Sequence, residues 1–436
     1  MFARINPFRP GQIVSPGMFA GRIDEIQVLD RALVQTRAGN PLHFAIRGER
    51  GIGKSSLLYL LQEVARGNIT SIYDGPTFKF IYVGIDLEPA TTYHQLVRRV
   101  GSEFNRQVRG FEPARHLLKS GFDFLARWEL GGVKYSKDAD QVDPSEMLDD
   151  LVHTITQAMT RLDACTDGIV IAVDEADKPN DANLGEFCKL MTERLTKKGC
   201  PRVLLGLSGL PHLTQRLRDS HESAPRVFED LYLKPLERDE CKDVIRRALS
   251  ISEKEGGQKT TIEENAEEFL AGSSEGFPHF IQQFGYCAFE ADTDGVIDVR
   301  DVANGIYGAN GGLYQLGVKY FSELYFDKIG SDEYRKVLQE MAKVGTAWIT
   351  KKEIRAATGL KETTLTNALA ALKTRNIILT KDGQAGTYRL PTQSFASWIR
   401  VFIKAPEELA GTSTALTSKL FSAHEITGTH RSSKDQ

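Results

Sequence analysis

Short apolar runs alternate with helical patterns through the first half of the chain. The runs occupy residues 42–46, 78–87, 168–177, 202–210 and 231–238. Continuous apolar runs are typical of parallel strands, because helices cover both faces of a parallel sheet. The alternation therefore predicts an α/β fold in which a parallel sheet lies between two layers of helices.

Helical patterns fill most of the intervals between these runs. Residues 21–39 and 55–65 are predicted helices, and residues 88–167 are mostly helical apart from an irregular piece at 129–144. In the first helix the apolar residues at helical spacing are Ile23, Ile26, Leu29, Leu33 and Val34.

Beyond residue 238 the strand pattern gives way to helices, and a chain of 436 residues is long enough for two or three domains. The predicted division is an irregular arm over 1–20, an α/β core over 21–237, an all-α lid over 238–315, a C-terminal module over 316–404 and a flexible, Ser- and Thr-rich tail over 405–436.

Composition excludes several classes of protein. The five cysteines include no CxxC pair, so neither a disulfide framework nor a zinc site is expected. No apolar run reaches the roughly 18 residues that span a bilayer, and the first residues lack a signal-peptide pattern. We therefore expect a cytoplasmic protein without a membrane partner. The formal net charge is −3, so any basic surface must be local.

A glycine-rich motif stands between the first strand and the following helix. Residues 48–55 match the pattern GxxxxGK(S/T). Glycines let the backbone turn tightly with its N–H groups toward a phosphate, and the positive end of the helix dipole lies at the same place. The motif predicts a site for ATP and Mg²⁺ formed by Gly48, Glu49, Arg50, Gly51, Ile52, Gly53, Lys54, Ser55 and Ser56.

The third strand supplies the acids that such a site needs. Asp174 and Glu175 follow its apolar residues, at the carboxyl end where parallel sheets bind ligands. Lys54 is expected to reach the β- and γ-phosphates, and Ser55 and Asp174 are expected to hold Mg²⁺. Glu175 would orient and polarise the attacking water, which favours ATP hydrolysis over a kinase reaction. The alternatives are a glycine turn without a ligand and an acidic pair that only caps a helix.

Four stretches resemble AAA+ ATPases, in particular the origin-recognition or initiator-type group and the neighbouring STAND-type signalling ATPases. They are FAGRIDEI at 19–26, LLGLSG at 204–209, SAPRVFEDLYLKPLE at 223–237 and EGFPHFIQQF at 275–284. The resemblance covers about residues 17–400. It implies that Phe19, Arg22 and Glu25 lie at the adenine, the alternative being a helix start with a surface ion pair.

The resemblance also implies roles for two residues downstream. Ser208 stands at the sensor-1 position, where many members place Asn or Thr, and would contact the γ-phosphate or the water. Arg226 is the candidate arginine finger, which reaches the ATP of a neighbouring subunit. Arg216 and Arg218 are its substitutes, and a plain surface arginine is the alternative.

The stretch EGFPHFIQQF is similar to the STAND-like G-x-P motif, which includes Pro278. His279, the next residue, departs from the AAA+ pattern, because members usually carry a sensor-2 arginine at this point. A neutral histidine donates only one hydrogen bond, and its charge depends on pH. A contact with the nucleotide and simple packing within the lid both remain open.

The C-terminal module has a pattern of three helices, at 331–344, 350–359 and 361–376, followed by a hairpin at 377–390. This arrangement resembles a winged helix, the domain that often follows the lid of initiator-type members. From Asp332 to Lys404 the chain has thirteen Lys and Arg and six Asp and Glu, a net charge of +7.

That charge favours a polyanion as the partner of the module. The candidate DNA contacts are Lys351, Lys352, Lys361, Thr364, Asn367 and Lys381. A winged helix that binds protein or packs on the ATPase is the alternative.

The segment at 95–137 collects further basic residues, namely Arg98, Arg99, Arg106, Arg109, Arg115, Lys119, Arg127, Lys134 and Lys137. In initiator-like members, insertions at this place face a central channel. A grip on DNA is one hypothesis for these residues, and a solvated helix face is the other.

Two functions therefore compete. The first is an ATP-driven switch that assembles into a homo-oligomer with ATP and acts on DNA as a loader or initiator-like regulator, in replication, transposition or defence against mobile DNA. The second is a STAND-like signalling ATPase whose winged helix binds protein. The G-x-P motif, the missing sensor-2 arginine and the missing Asn at sensor 1 favour the second, whereas the short chain without sensor repeats favours the first. The intact Lys54, Asp174 and Glu175 argue against a protein that binds ATP without hydrolysing it.

Overall fold

The computed structural model describes residues 5–14, 19–71, 77–112, 143–254, 259–381 and 383–403. The chain divides into two compact units. The sheet unit spans residues 13–235, and the helical unit combines residues 1–12 with residues 236–436, as far as these are described.

A five-stranded parallel sheet forms the centre of the sheet unit. Its strands are β1 (Phe44–Arg47), β2 (Phe80–Asp86), β3 (Gly168–Asp174), β4 (Val203–Gly209) and β5 (Glu229–Tyr232). They lie in the order β2-β3-β4-β1-β5, and every pair is parallel. The predicted parallel α/β fold is confirmed, with strand bounds that differ from the predicted ones.

Helices flank this sheet. They are α1 (Ile23–Arg37), α2 (Lys54–Ala65), α3 (Tyr93–Gly110), α4 (Pro144–Leu162), α5 (Leu184–Lys197) and α6 (Leu213–Ser220). Apolar residues of α3, α4 and α5 form one buried cluster with the sheet. Of the apolar residues at helical spacing in α1, Ile23 is 67% exposed and Val34 is 39% exposed. The buried stripe runs through Leu29 and Leu33, one turn apart, and the other two residues lie beside it.

The helical unit begins with four helices, α7 (Arg238–Lys254), α8 (Glu264–Ser273), α9 (Pro278–Ala291) and α10 (Val299–Tyr307). Two very short strands, β6 (Thr261–Ile262) and β7 (Val296–Ile297), pair in parallel between them. The sequence predicts a lid of helices alone, and the pairing of β6 with β7 corrects that prediction. A strand of two residues is too short to produce an apolar run that differs from a helical pattern.

Residues 5–12 pack on α9 within the helical unit. Asn6 Nδ2 donates to the carbonyl oxygen of Tyr286 over 3.1 Å. Phe8 is only 2% exposed, and its ring occupies the space that a Cβ on Gly285 would need. The segment predicted as one irregular arm is therefore shared between the two units.

The C-terminal part of the helical unit contains α11 (Gly312–Leu316), α12 (Asp332–Lys343), α13 (Lys351–Thr358), α14 (Glu362–Thr374) and α15 (Gln393–Trp398). Strands β8 (Ile349–Thr350), β9 (Leu379–Thr380) and β10 (Thr387–Arg389) form an antiparallel sheet in the order β8-β10-β9. Gly359 ends α13 with a φ of 66°, a left-handed cap that suits glycine. Leu365, Leu369 and Leu372 are buried and form the inward stripe of α14.

The predicted tail at 405–436 lies outside the described residues. Among the helices in the described ranges, none is both long enough and apolar enough to cross a bilayer.

Candidate active site

The glycine-rich loop connects β1 to α2 at the carboxyl edge of the sheet. Gly51 and Gly53 have φ angles of 80° and 101°, a left-handed conformation that glycine adopts without the steric cost of a Cβ. Gly53 is the N-cap of α2, and no side chain from the described residues caps the helix there. The first N–H groups of α2 are therefore available to an anion.

Packing behind the loop holds it in place. A Cβ on Gly48 would lie 2.9 Å from Ile52 Cγ2 and 3.1 Å from the carbonyl oxygen of Leu233, so this position requires glycine. Arg22 is 7% exposed and donates from Nη2 to the carbonyl oxygen of Ile52 over 3.3 Å. Its Nη1 lies 3.3 Å from Glu25 Oε1. The structure thus places Arg22 against the backbone of the loop, with Glu25 as its partner.

Lys54 lies inside the loop. Its Nζ donates to the carbonyl oxygens of Gly48 and Glu49 over 2.9 and 3.0 Å. Burial lowers the pKa of Lys54, while nearby carboxylates, first among them Asp174, act in the opposite direction. The ammonium is therefore positioned at the loop by groups that phosphate oxygens are able to replace.

Ser55 and Asp174 meet at the edge of the sheet. Ser55 Oγ donates to Asp174 Oδ2 over 2.6 Å. Asp174 Oδ1 accepts from the backbone N–H of Glu175 over 2.8 Å. Hydroxyl and carboxylate oxygens are ligands that Mg²⁺ prefers in proteins, so this pair of side chains fits the predicted metal.

Glu175 follows the last residue of β3 with a φ of 53°, which is uncommon for a residue with a Cβ. Its Oε2 lies 3.4 Å from Lys178 Nζ, and its side chain is 42% exposed. Unusual backbone angles of this kind concentrate at functional sites. The structure places this acid next to Asp174 and accessible to water.

The remaining predicted residues around the loop lie at its edge. Arg50 is exposed. Ser56 Oγ accepts from the backbone N–H of Val14 over 3.3 Å. Phe19 lines an apolar cavity of about 190 Å³ between α1 and α2, together with Leu33 and Leu61 among others. The predicted contact of Phe19 with adenine stays a prediction.

Two carboxylates at the same edge were not singled out from the sequence. Asp86 ends β2 and is in register with Asp174, and its burial, followed by the charge of Asp174, raises its pKa. Asp177 is 4% exposed and accepts from the backbone N–H of Leu210 over 2.8 Å. Asp86 could have been found from the sequence, because it is a polar residue at the end of an apolar run. Asp177 had no such signal, because its contacts depend on the end of β4.

Ser208 is not brought to the surface of the site. It lies in β4 with 0% exposure, and its hydroxyl has no hydrogen-bond partner among the described residues. The predicted contact of Ser208 with the γ-phosphate or the water stays a prediction.

Arg226 is exposed on a 3-10 turn, Ala224–Val227, directly before β5. Its two substitutes have partners within the sheet unit. Arg216 donates to Asn180 Oδ1, and Arg218 donates to a glutamine one turn earlier in α6. Of the three arginines, Arg226 is the one whose guanidinium has no such partner in the described chain.

Pro278 and His279 begin α9 in the helical unit. The His279 ring packs on Tyr320 and Phe280 with ring-centroid distances of 5.1 and 6.4 Å. Burial lowers the pKa of His279 to about 4, so the imidazole is neutral at pH 7. This packing favours the interpretation that His279 belongs to the interior of the lid.

The candidate DNA contacts differ in how exposed they are and in whether they already contact other side chains. Lys351 Nζ donates to Thr366 Oγ1 over 2.9 Å and lies 2.6 Å from Glu362 Oε1. Lys381 Nζ lies 6.0 Å from the centroid of the Trp348 ring. Thr364 is half-buried. The exposed candidates are Lys352, Lys361, Asn367 and Lys381.

The basic segment at 95–137 is described only in part. Arg98, Arg99, Arg106 and Arg109 lie on α3. Arg106 pairs with Glu103 over 2.8 Å. The other predicted members lie outside the described residues: Arg115, Lys119, Arg127, Lys134 and Lys137.

Comparison with known proteins agrees with this geometry. Residues 18–205 match the AAA ATPase domain family. A Walker-type ATPase of Pyrococcus abyssi superposes with a TM-score of 0.56 at 17% sequence identity, over 88% of this chain and 96% of its own. The ORC2 protein of Aeropyrum pernix, in its ADPNP–ADP complexes, superposes with a TM-score of 0.57 at 14% identity, over 98% of this chain and 99% of its own. No curated protein matches the sequence.

At these identities the two solved structures support a shared fold and nothing finer. Residues 18–205 are therefore similar to an AAA ATPase domain, and the parallel sheet and the glycine-rich loop agree with that match.

Proposed function

We propose that the protein is an ATP-hydrolysing switch that assembles into a homo-oligomer with ATP and acts on DNA through a C-terminal winged helix, as a loader or initiator-like regulator. The contact of Ser55 with Asp174 beside Lys54 is the observation that carries the ATP site. The match to the AAA ATPase domain family supports it.

Each residue of the site has a distinct task in this proposal. The loop N–H groups and Lys54 bind the β- and γ-phosphates, with Lys54 exchanging two carbonyl partners for phosphate oxygens. Ser55 and Asp174 hold Mg²⁺, whose charge stabilises the phosphate oxygens when it is bound. Glu175 orients a water molecule and accepts its proton.

Assembly follows from the position of Arg226. An exposed guanidinium on the surface of one subunit is able to reach the ATP of the next, where it stabilises charge on the phosphates during hydrolysis. Hydrolysis and assembly are then coupled, because neither subunit completes its site alone.

The DNA partner is assigned to the C-terminal module. Three helices with a three-stranded antiparallel sheet, in the chain order α12, β8, α13, α14, β9 and β10, support a winged helix. The net charge of +7 and the exposed Lys352 and Lys361 support contacts with phosphate.

The experiment that tests this function measures ATP hydrolysis and sedimentation of the full chain with and without duplex DNA. Faster hydrolysis with DNA, together with assembly that depends on ATP, supports the proposal. A rate of ATP hydrolysis that is the same with and without DNA favours a protein partner. A chain that neither binds nor hydrolyses ATP overturns the proposed switch.

A STAND-like signalling ATPase is the second candidate, and two observations favour it. His279, at the place of the sensor-2 arginine, is half-buried and neutral at pH 7. Glu362 pairs with Lys351 over 2.6 Å and with Arg355 over 3.0 Å, so one predicted DNA contact, Lys351, and a neighbouring cation are already engaged. In this case the module binds a protein.

A further inference from the structure

The turn after β4 carries a histidine at the edge of the nucleotide site. β4 lies between β3 and β1 in the sheet, so its carboxyl end lies between Asp174 and the glycine-rich loop. The backbone N–H of Gly48 donates to the carbonyl oxygen of Gly209 over 3.3 Å, which joins the loop to the end of β4. His212 follows three residues later, and its side chain is 42% exposed.

Asp177 holds the turn after β4 in place through contacts with two of its residues. Its Oδ1 accepts from the backbone N–H of Leu210 over 2.8 Å, and its Oδ2 lies 3.5 Å from His212 Nε2. A Cβ on Gly209 would lie 2.6 Å from Asp177 Oδ1, so glycine is what allows the close approach. Arg47 adds a second anchor by donating over 2.8 Å to the carbonyl oxygen of the residue before His212.

His212 and Asp177 affect the pKa values of charged residues in the glycine-rich loop. Burial lowers the pKa of Lys54, and Asp177 is among the carboxylates that oppose this effect. Burial raises the pKa of Glu49, while Lys54 and then His212 lower it. His212 and Asp177 therefore lie within electrostatic range of the residues predicted to surround the phosphates.

We propose that His212, oriented by Asp177, donates a hydrogen bond to the terminal phosphate of ATP. This inference rests on the proposed ATP function. The two ring nitrogens of an imidazole point in different directions, so Nε2 faces Asp177 and Nδ1 is the donor to a phosphate oxygen. The contact distinguishes ATP from ADP, which lacks that phosphate.

The test measures the affinity of the full chain for ADP and for the non-hydrolysable analogue ADPNP by calorimetry, in the wild type, His212→Ala and His212→Gln. Alanine should weaken ADPNP binding about tenfold or more, as expected for a hydrogen bond to a charged group, and leave ADP binding unchanged. Glutamine, which still donates one hydrogen bond, should restore part of the loss. Asp177→Asn should give a smaller loss in the same direction. His221→Ala, at the far end of α6, is the matched control.

The outcomes separate the two proposals. Unchanged ADPNP affinity in His212→Ala would overturn the role of His212 and leave the ATP site intact. Equal losses for ADP and ADPNP would also overturn it, because they indicate a general effect on the loop. A wild-type chain that binds neither nucleotide would overturn the proposed function and, with it, this inference.

Discussion

Ser55 Oγ and Asp174 Oδ2 are hydrogen-bonded over 2.6 Å although 119 positions separate the two residues in the chain. The order of the strands explains the contact. Only β4 lies between β1 and β3, and all three strands run in the same direction. The loop after β1 and the end of β3 therefore share one edge, and the sheet itself brings the phosphate-binding and metal-binding side chains together.

Lys54→Ala should reduce affinity for ATP and ADP by about 100-fold, because two charge-assisted hydrogen bonds to phosphate are lost. Calorimetric titration of each nucleotide measures the effect. Lys189→Ala, which removes a lysine that pairs with Glu193 on α5, should bind as the wild type does. Wild-type affinity in Lys54→Ala would contradict the phosphate site.

Glu175→Gln should bind ATP normally and hydrolyse it about 10²- to 10⁴-fold more slowly, because the amide cannot accept the proton of the water. Phosphate release measures hydrolysis, and sedimentation should show the ATP-dependent assembly persisting. Glu193→Gln is the control on a distant helix. If Glu175→Gln turns over at the wild-type rate, another group activates the water.

Arg226→Ala should lose most of its ATPase activity while still binding ATP, because the residue acts on the site of a neighbour. Mixing it with Lys54→Ala should restore part of the activity, since Lys54→Ala contributes an intact Arg226 to the neighbour's site. Arg216→Ala, whose guanidinium contacts Asn180, should keep its activity. Absence of rescue at every mixing ratio would rule out a finger that acts between subunits.

Acid should destabilise the sheet unit through His43. The backbone N–H of Leu205 donates to His43 Nδ1 over 3.0 Å, and burial lowers the pKa of His43 from 6.5 to about 4. A folded-state pKa below the unfolded value favours unfolding as the pH falls. The contribution is complete above pH 6.5 and is lost as the pH approaches 4, with an upper bound of roughly 3 kcal/mol.

His43→Gln tests this dependence, because its side-chain oxygen still accepts from Leu205 and does not titrate. The free energy of unfolding, measured with urea at pH 7 and pH 5, should change less in this variant than in the wild type, by about 2 kcal/mol. His153→Gln changes an exposed residue of α4 and should behave as the wild type. Identical pH dependence in His43→Gln and the wild type would refute the assignment.

Ser208 and His212 illustrate where prediction from sequence stops. Both are polar residues close to the end of the same apolar run, and their residue types do not tell which of them is accessible. In the structure Ser208 is wholly buried and His212 is 42% exposed. The difference depends on where β4 ends and on how Asp177 holds the turn beyond it. Arg22 is a similar case, since its contact with the loop requires α1 to pack beside it.

The sequence by itself determined the parallel α/β architecture, the glycine-rich loop with its lysine, and the helices and hairpin of the C-terminal module. Each of these is encoded within a short window by apolar spacing, glycine positions or turn residues. Only the tertiary structure decided the strand order, the meeting of Ser55 with Asp174 and of His212 with Asp177, the burial of Ser208, and the packing of His279 on Tyr320. These features depend on packing between elements far apart in the chain, which local patterns do not specify.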